Sequence, residues 1–301
     1  MSRATAIGGI AILLWSSLAA LAVVTRRLPP FETLTLSFGI AFAAGIAILA
    51  ARRRLLRLRQ PGRAWGLGFA GIFAYHALYF IALDHAPAAE ASLINYLWPL
   101  LIVLFSAFLP GERLRLRHVL GAALGLAGTA LIVLAAARTG AEPAGRGAML
   151  GYACAFAAAF AWAGYSVANR TLRAVPSELI VGIGGLVALA ASLVHGLAEP
   201  NIVPRGVEWA ALTGLGLGPV GLAFFFWDHA TKHGDLALLG TLSYATPLLS
   251  TGLLVVCGAA HAGGTLAAAA ALVVGGAVVS AGLPRRRGAP LIPPAASNPS
   301  R

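Results

Sequence analysis

The chain has 301 residues, of which 59% are hydrophobic and 11% charged, and its mean hydropathy is +0.83. That is more apolar surface than one water-soluble core can hide, so the composition excludes a soluble globular domain and makes the bilayer the solvent. The net charge of +12 rests on arginine, with Lys232 the single lysine. The arginines cluster between apolar runs and form no basic stripe with interleaved aromatics, so no nucleic-acid partner is expected.

About 20 apolar residues suffice to cross the hydrocarbon core. Ten such runs occur, near Thr5 to Thr25, Phe31 to Ala51, Ala64 to Leu83, Ala89 to Leu109, His118 to Ala137, Ala148 to Ala168, Glu178 to Leu197, Trp209 to His229, Leu236 to Cys257 and Gly263 to Leu283. The first run has the flavour of a secretory signal, with Arg3 ahead of it and Ala20-Leu21-Ala22 as a passable cleavage site. However, Trp15, Arg26 and Pro29 recur at a constant offset as Trp162, Arg173 and Pro176, and a segment repeated within the mature protein is expected to be kept. Cys154 and Cys257 lie in different runs, with neither a disulfide framework nor metal-ligand spacing, and read as small core residues. The proline-rich segment 284–301 has no periodicity and reads as a disordered cytoplasmic tail.

The runs repeat. Trp65 and Trp209 each open a stretch that ends in Asp84-His85-Ala86 or Asp228-His229-Ala230 and leads into Tyr96-x-x-Pro99-Leu100 or Tyr244-x-x-Pro247-Leu248. The fold class expected is therefore an all-α integral membrane protein of ten transmembrane helices in two five-helix repeats, residues 1–137 and 148–283, joined by a linker at 138–147. Because five is odd, the second repeat enters the membrane inverted, the recurring architecture of alternating-access carriers. With both termini inside, seventeen arginines and lysines fall on the cytoplasmic side and five on the other, as the positive-inside rule requires.

From Tyr79 to Leu134 the sequence resembles the EamA repeat of the drug/metabolite transporter superfamily. The matching residues are the small-residue loop before the fourth run, Pro99 near its middle, Gly111-Glu112-Arg113 at its cytoplasmic end, and the Gly121, Gly125, Gly128 ladder in the fifth. Trp209 to Leu283 resembles the repeat more loosely and departs from it at Gly258 to His261, where the usual Gly-Glu pair is missing. Trp15-Ser16-Ser17 and Asn95-Tyr96-Leu97-Trp98-Pro99 are further similar to the superfamily's bacterial aromatic amino acid exporters. This resemblance implies a basket of ten helices around a central cavity in the bacterial cytoplasmic membrane. It also implies export of aromatic and other neutral amino acids, with no cofactor.

Candidate substrate-binding residues follow from helical spacing. Ser92, Asn95, Tyr96 and Pro99 share one face of the fourth run, and a polar face in lipid needs a partner. Pro99 and Pro247 each remove a backbone donor, so Asn95, Ser243 and Tyr244 flank exposed backbone that is tolerated only against protein or a watery path. A plain kink packed on its neighbours is the alternative. Tyr75, His76 and Tyr79 lie together in the third run, where His76 is either a ligand for a substrate carboxylate or coupling proton, or a core histidine bonded to a neighbour. Trp15 and Trp162, with Tyr165, Ser166 and Asn169 continuing the latter's face, offer flat apolar walls and can hold an ammonium over a ring. Trp65 and Trp209 belong to the interfacial belt. Asp84-His85 and Asp228-His229 are either paired gates for the two mouths or ordinary helix-end chemistry.

What the runs lack narrows the class. They carry no Asp, Glu, Lys or Arg at mid-depth, which disfavours phosphate-bearing solutes and suits a zwitterionic amino acid. No G-x-x-x-x-G-K-[ST] stretch is present, so no ATP site is expected. A membrane-embedded enzyme would need a base or metal constellation within a run, and none has helical spacing, so no catalytic residue or metal site is assigned. A channel or scaffold remains the third class.

Overall fold

A computed structural model of the chain describes residues 1–111, 114–137, 147–256 and 263–281. Glu112, Arg113, positions 138–146 of the linker, Cys257, Gly258 to His261 and the 284–301 tail lie outside them. The described residues form helices joined by short turns: α1 (Arg3–Ser16), α2 (Leu18–Thr25), α3 (Pro30–Ala51), α4 (Gly62–His85), α5 (Ala88–Asn95), α6 (Trp98–Ser106), α7 (Leu116–Ala137), α8 (Ala148–Ala168), α9 (Leu179–Ala198), α10 (Gly206–Leu217), α11 (Ala223–His233), α12 (Leu236–Ser243), α13 (Ala245–Val256) and α14 (Gly264–Ala281). Among the described residues, nine segments are long and apolar enough to cross a membrane, and Glu90–Ser106 is a shorter apolar one. The chain is a multi-pass membrane protein.

Four apolar runs are broken inside. Pro99 sits in the first turn of α6, and the chain steps out of the helix at Tyr96 and Leu97. α12 ends at Ser243, and Tyr244 separates it from α13. Between α1 and α2 there is no proline. There the Ser16 and Ser17 hydroxyls donate to the Leu13 and Leu14 carbonyls at 2.6 and 2.7 Å, competing with the helical ladder. A π turn at Gly218–Leu222, containing Pro219, parts α10 from α11. The sequence spacing predicts an uninterrupted run from Trp209 to His229. The break arises because Pro219 lacks the N–H that would continue the ladder.

α7 packs along α14, α3 along α9, α4 along α8, α1 along α11 and α6 along α12. Small residues set the closest approach. A methyl group added at Gly121 would lie 2.5 Å from the Gly276 carbonyl oxygen, and one at Gly125 2.5 Å from the Tyr244 ring. Helix ends find partners across the bundle. The Glu199 carboxylate accepts from the first-turn N–H groups of Phe31 and Glu32 at 3.0 and 3.1 Å, while Glu32 accepts from Ile202 N–H at 3.2 Å. Arg27 donates to both oxygens of Glu208, at 2.9 and 2.6 Å, tying the α2–α3 turn to α10.

Candidate functional site

Four of the six tryptophans converge from four different segments: Trp15 on α1, Trp98 on α6, Trp162 on α8 and Trp227 on α11. Trp15 lies 5.7 Å from Trp162 and 5.1 Å from Trp227 between ring centroids, and Trp162 stacks on Trp227 at 6.2 Å. Phe224 closes the cluster, 5.9 Å from Trp15 and 5.6 Å from Trp162. All five side chains are buried. The indole N–H of Trp15 donates to the Pro219 carbonyl at 3.0 Å, so the π turn of the eighth run positions the ring on the first. Trp227 donates to the Ser166 hydroxyl at 3.1 Å.

Above this apolar floor stands a partly exposed polar wall of Tyr75, His76, Tyr79, Ser92 and Tyr96. Tyr75 bridges the two layers, 5.3 Å from Trp162 and stacked 6.1 Å from Tyr79. The Tyr79 and Ser92 hydroxyls are 2.9 Å apart. His76 Nδ1 lies 2.8 Å from the Ile72 carbonyl. A carbonyl can only accept, so Nδ1 carries the proton and neutral His76 keeps Nε2 as a lone-pair site. Asn95 Nδ2 donates to the Tyr75 hydroxyl at 3.3 Å, and its buried Oδ1 has no partner among the described residues. A buried acceptor without a donor is costly, and a ligand N–H or ammonium would relieve it.

Ser166 leads from the floor to a second cluster. One turn on, Asn169 Nδ2 donates to Asp228 Oδ1 and Thr231 Oγ1, each at 3.0 Å. Asp228 Oδ2 pairs with Lys232 Nζ at 2.8 Å, and Lys232 also donates to the Val175 carbonyl at 3.0 Å. Arg170 and Arg173 both donate to the Lys232 carbonyl. Asp228 and Lys232 are 3% and 2% exposed, so this knot pairs two opposite charges in the interior of the bundle.

The sequence-derived candidates thus divide. Trp15, Tyr75, His76, Tyr79, Ser92, Asn95, Tyr96, Trp162 and Tyr165 meet at or beside the aromatic floor and polar wall, Tyr165 packing 5.5 Å from Trp162. Pro99 is buried at the break that sets the wall's fourth-run face. Ser166 holds the floor by accepting from Trp227, and Asn169 belongs to the polar knot. Ser243, Tyr244 and Pro247 stand apart. Ser243 donates to its own helix at Leu239, Pro247 accepts from Thr251, and Tyr244 packs with Val103, Ala122 and Val273 while its hydroxyl accepts the Leu100 N–H at 3.2 Å. Tyr244 therefore caps the broken α6. Asp84 is exposed beside His85 at the end of α4, whereas Asp228 is buried, so the two Asp-His pairs have unlike surroundings. The His229 and His233 rings lie 4.9 Å apart, tilted by 49°.

Sequence reasoning passed over Trp98, Trp227, Phe224, Pro219 and Lys232 as site residues. Phe224 and Trp227 at i, i+3, and Asp228 and Lys232 at i, i+4, were the available signals.

Comparison with known proteins fits this geometry. The model of the EamA-like transporter family matches the chain twice, at residues 5–134 and 149–282. The chain is 53% identical over 266 residues to a protein of Ancylobacter novellus named aromatic amino acid exporter YddG, covering 88% of this chain and 92% of that protein. A Salmonella typhimurium protein of the same name is 26% identical over 83% of this chain and 87% of its own length. A probable terminal-alkyne amino-acid exporter of Streptantibioticus cattleyicolor is 28% identical over 70% of this chain and 68% of its own. A solved crystal structure at 52% identity superposes with a TM-score of 0.88, covering 93% of this chain and 96% of that one. The chain belongs to the EamA-like transporter family.

Proposed function

We propose that the chain exports aromatic and other neutral amino acids across the bacterial cytoplasmic membrane as a secondary carrier working by alternating access. The observation that carries this is the partly exposed Tyr75, His76, Tyr79, Ser92 and Tyr96 wall over the tryptophan floor, with Asn95 Oδ1 unmatched. Indole and phenol rings favour edge or offset contact with a substrate ring and tilt toward cations at their faces. A substrate ammonium meets Asn95 Oδ1, and the wall's hydroxyls, with His76 once Nε2 is protonated, meet its carboxylate. The names of the relatives, aromatic and terminal-alkyne amino-acid exporters, support the amino-acid class.

In this reading, Glu90–Ser106 is the tenth span and the halves 1–137 and 148–283 are inverted repeats joined by 138–147, with both termini cytoplasmic. Two findings support it. The family model matches once in each half. Exchanging every span with the one five later also maps the main packing pairs onto one another: α4 on α8 becomes α11 on α1, α5 and α6 on α8 become α12 and α13 on α1, while α3 on α9 and α7 on α14 return to themselves. The Asp228–Lys232 knot then closes the cytoplasmic mouth, and it must open for substrate to enter.

Uptake of labelled phenylalanine, tryptophan, threonine and arginine into proteoliposomes, with and without a pH gradient, tests the function. Saturable uptake of the neutral amino acids, lost in Trp162→Ala and weakened in His76→Ala, is expected. Equal transport by all three proteins refutes the site.

A further inference from the structure

A cavity of about 490 Å³ lies between α3, α9 and the α10–α11 break, on the far side of Phe38 and Phe224 from the polar wall. Phe38 is 5.5 Å from His76 and 5.7 Å from Phe224, so these two rings form the partition. At its mouth Phe42, Ile48, Leu217 and Leu222 are 38%, 54%, 44% and 51% exposed, a lipid-facing opening. The charged lining residues, Arg52, Arg54 and Glu178, all gather at the end where α3 stops and α9 begins. From Phe38 to Leu49 the lining follows α3 for about 17 Å at 1.5 Å per residue. That is close to half of a roughly 30 Å hydrocarbon core, the depth of one leaflet.

The arginine end is built with some strain. Arg54 N–H bonds to the Leu49 carbonyl at 2.7 Å and Arg53 N–H to Ala50 at 2.9 Å, the Schellman pattern. Arg53 occupies the left-handed position of that motif, at φ 54°, where glycine is the usual residue. The chain thus keeps a third arginine beside this corner at a conformational cost. Arg54 pairs with Glu178 at 3.6 Å, and among the described residues neither Arg52 nor Arg53 has an ion-pair partner.

We infer that this groove binds one anionic phospholipid of the leaflet next to the 52–61 loop, with an acyl chain lying along α3 against Phe38 and Phe224 and the phosphate at Arg52, beside the Arg54–Glu178 pair. The charge pattern selects this occupant. A zwitterionic amino acid would leave its charges unmatched along the apolar walls, whereas a long apolar tail under a single anionic head matches both the walls and the rim.

Native mass spectrometry of the purified full chain, equilibrated with phosphatidylglycerol or with phosphatidylcholine of the same acyl chains, tests this. Phosphatidylglycerol is retained over phosphatidylcholine, and Arg52→Gln, at an exposed position, lowers phosphatidylglycerol retention about fivefold and leaves phosphatidylcholine unchanged. Ala44→Trp, filling the groove, lowers retention of both, and Ala44→Leu does so to a smaller degree if the tryptophan variant does not fold. Equal retention of the two lipids, or no change in Arg52→Gln, overturns the inference. So does a dimer that dissociates in the Ala44 variants while lipid retention is unchanged, because a second copy would then be the occupant.

Discussion

Replacing Asn95 with leucine removes both the unmatched acceptor and the donor to Tyr75, while keeping the side chain's approximate size. If Oδ1 receives the substrate ammonium, KM for phenylalanine rises by about tenfold or more, the worth of one buried hydrogen bond to a charged group. Proteoliposome kinetics check this, and an unchanged KM removes Asn95 from the site. Lys232 has a different role. Lys232→Met leaves Asp228 buried without its cation, which costs about 3–5 kcal/mol, and adding Asp228→Asn returns most of that stability. Thermal unfolding of the single and double variants reads the coupling, and additive losses would show that the pair is not linked. Tyr244→Phe removes the acceptor for Leu100 N–H and lowers stability by about 1 kcal/mol, with substrate KM unchanged because the ring is remote from the polar wall. A raised KM would place Tyr244 in the substrate path instead.

At the scale of helices, closeness is set by glycine. Gly121→Val drives a side chain into the Gly276 carbonyl and separates α7 from α14, so the folded yield falls sharply, while Gly164→Ala, with open space around it, is tolerated. Gel filtration after membrane extraction distinguishes the two. The pattern of breaks shows what the sequence could and could not say. Pro99 marks the fourth-run break by its missing N–H, and the structure interrupts the helix two residues ahead of it. The Ser17 break was hidden because it arises from hydroxyl competition for carbonyls, a choice that Ser16 and Ser17 make only in context. Pro219 was visible, but a proline in an apolar run does not state whether the helix bends, stops or takes a π turn. Tyr244 shares a motif with Tyr96, yet one caps a helix and the other lines the wall. Repeated residues identify related positions, and the packing around each decides its work.

Across the molecule, composition and periodicity sufficed to establish the all-helical membrane class, because runs of apolar residues this long have one solvent available. The meeting of four tryptophans was not legible, because it depends on helices that lie far apart in the chain. Their convergence with the tyrosine wall turns a helical bundle into a site of one chemical character, aromatic below and hydroxyl-rich above. The carrier reading further requires that the two halves thread the lipid in opposite senses, so that the ends of α4 and α11 face opposite compartments. Asp84 and His233 are exposed at those ends and accept a cysteine without disturbing the core. In a Cys154→Ala, Cys257→Ala background, a membrane-impermeant thiol reagent added to intact cells labels Asp84→Cys and spares His233→Cys until the membrane is permeabilised. Equal labelling of both in intact cells would contradict the inverted architecture, and with it the alternating-access account.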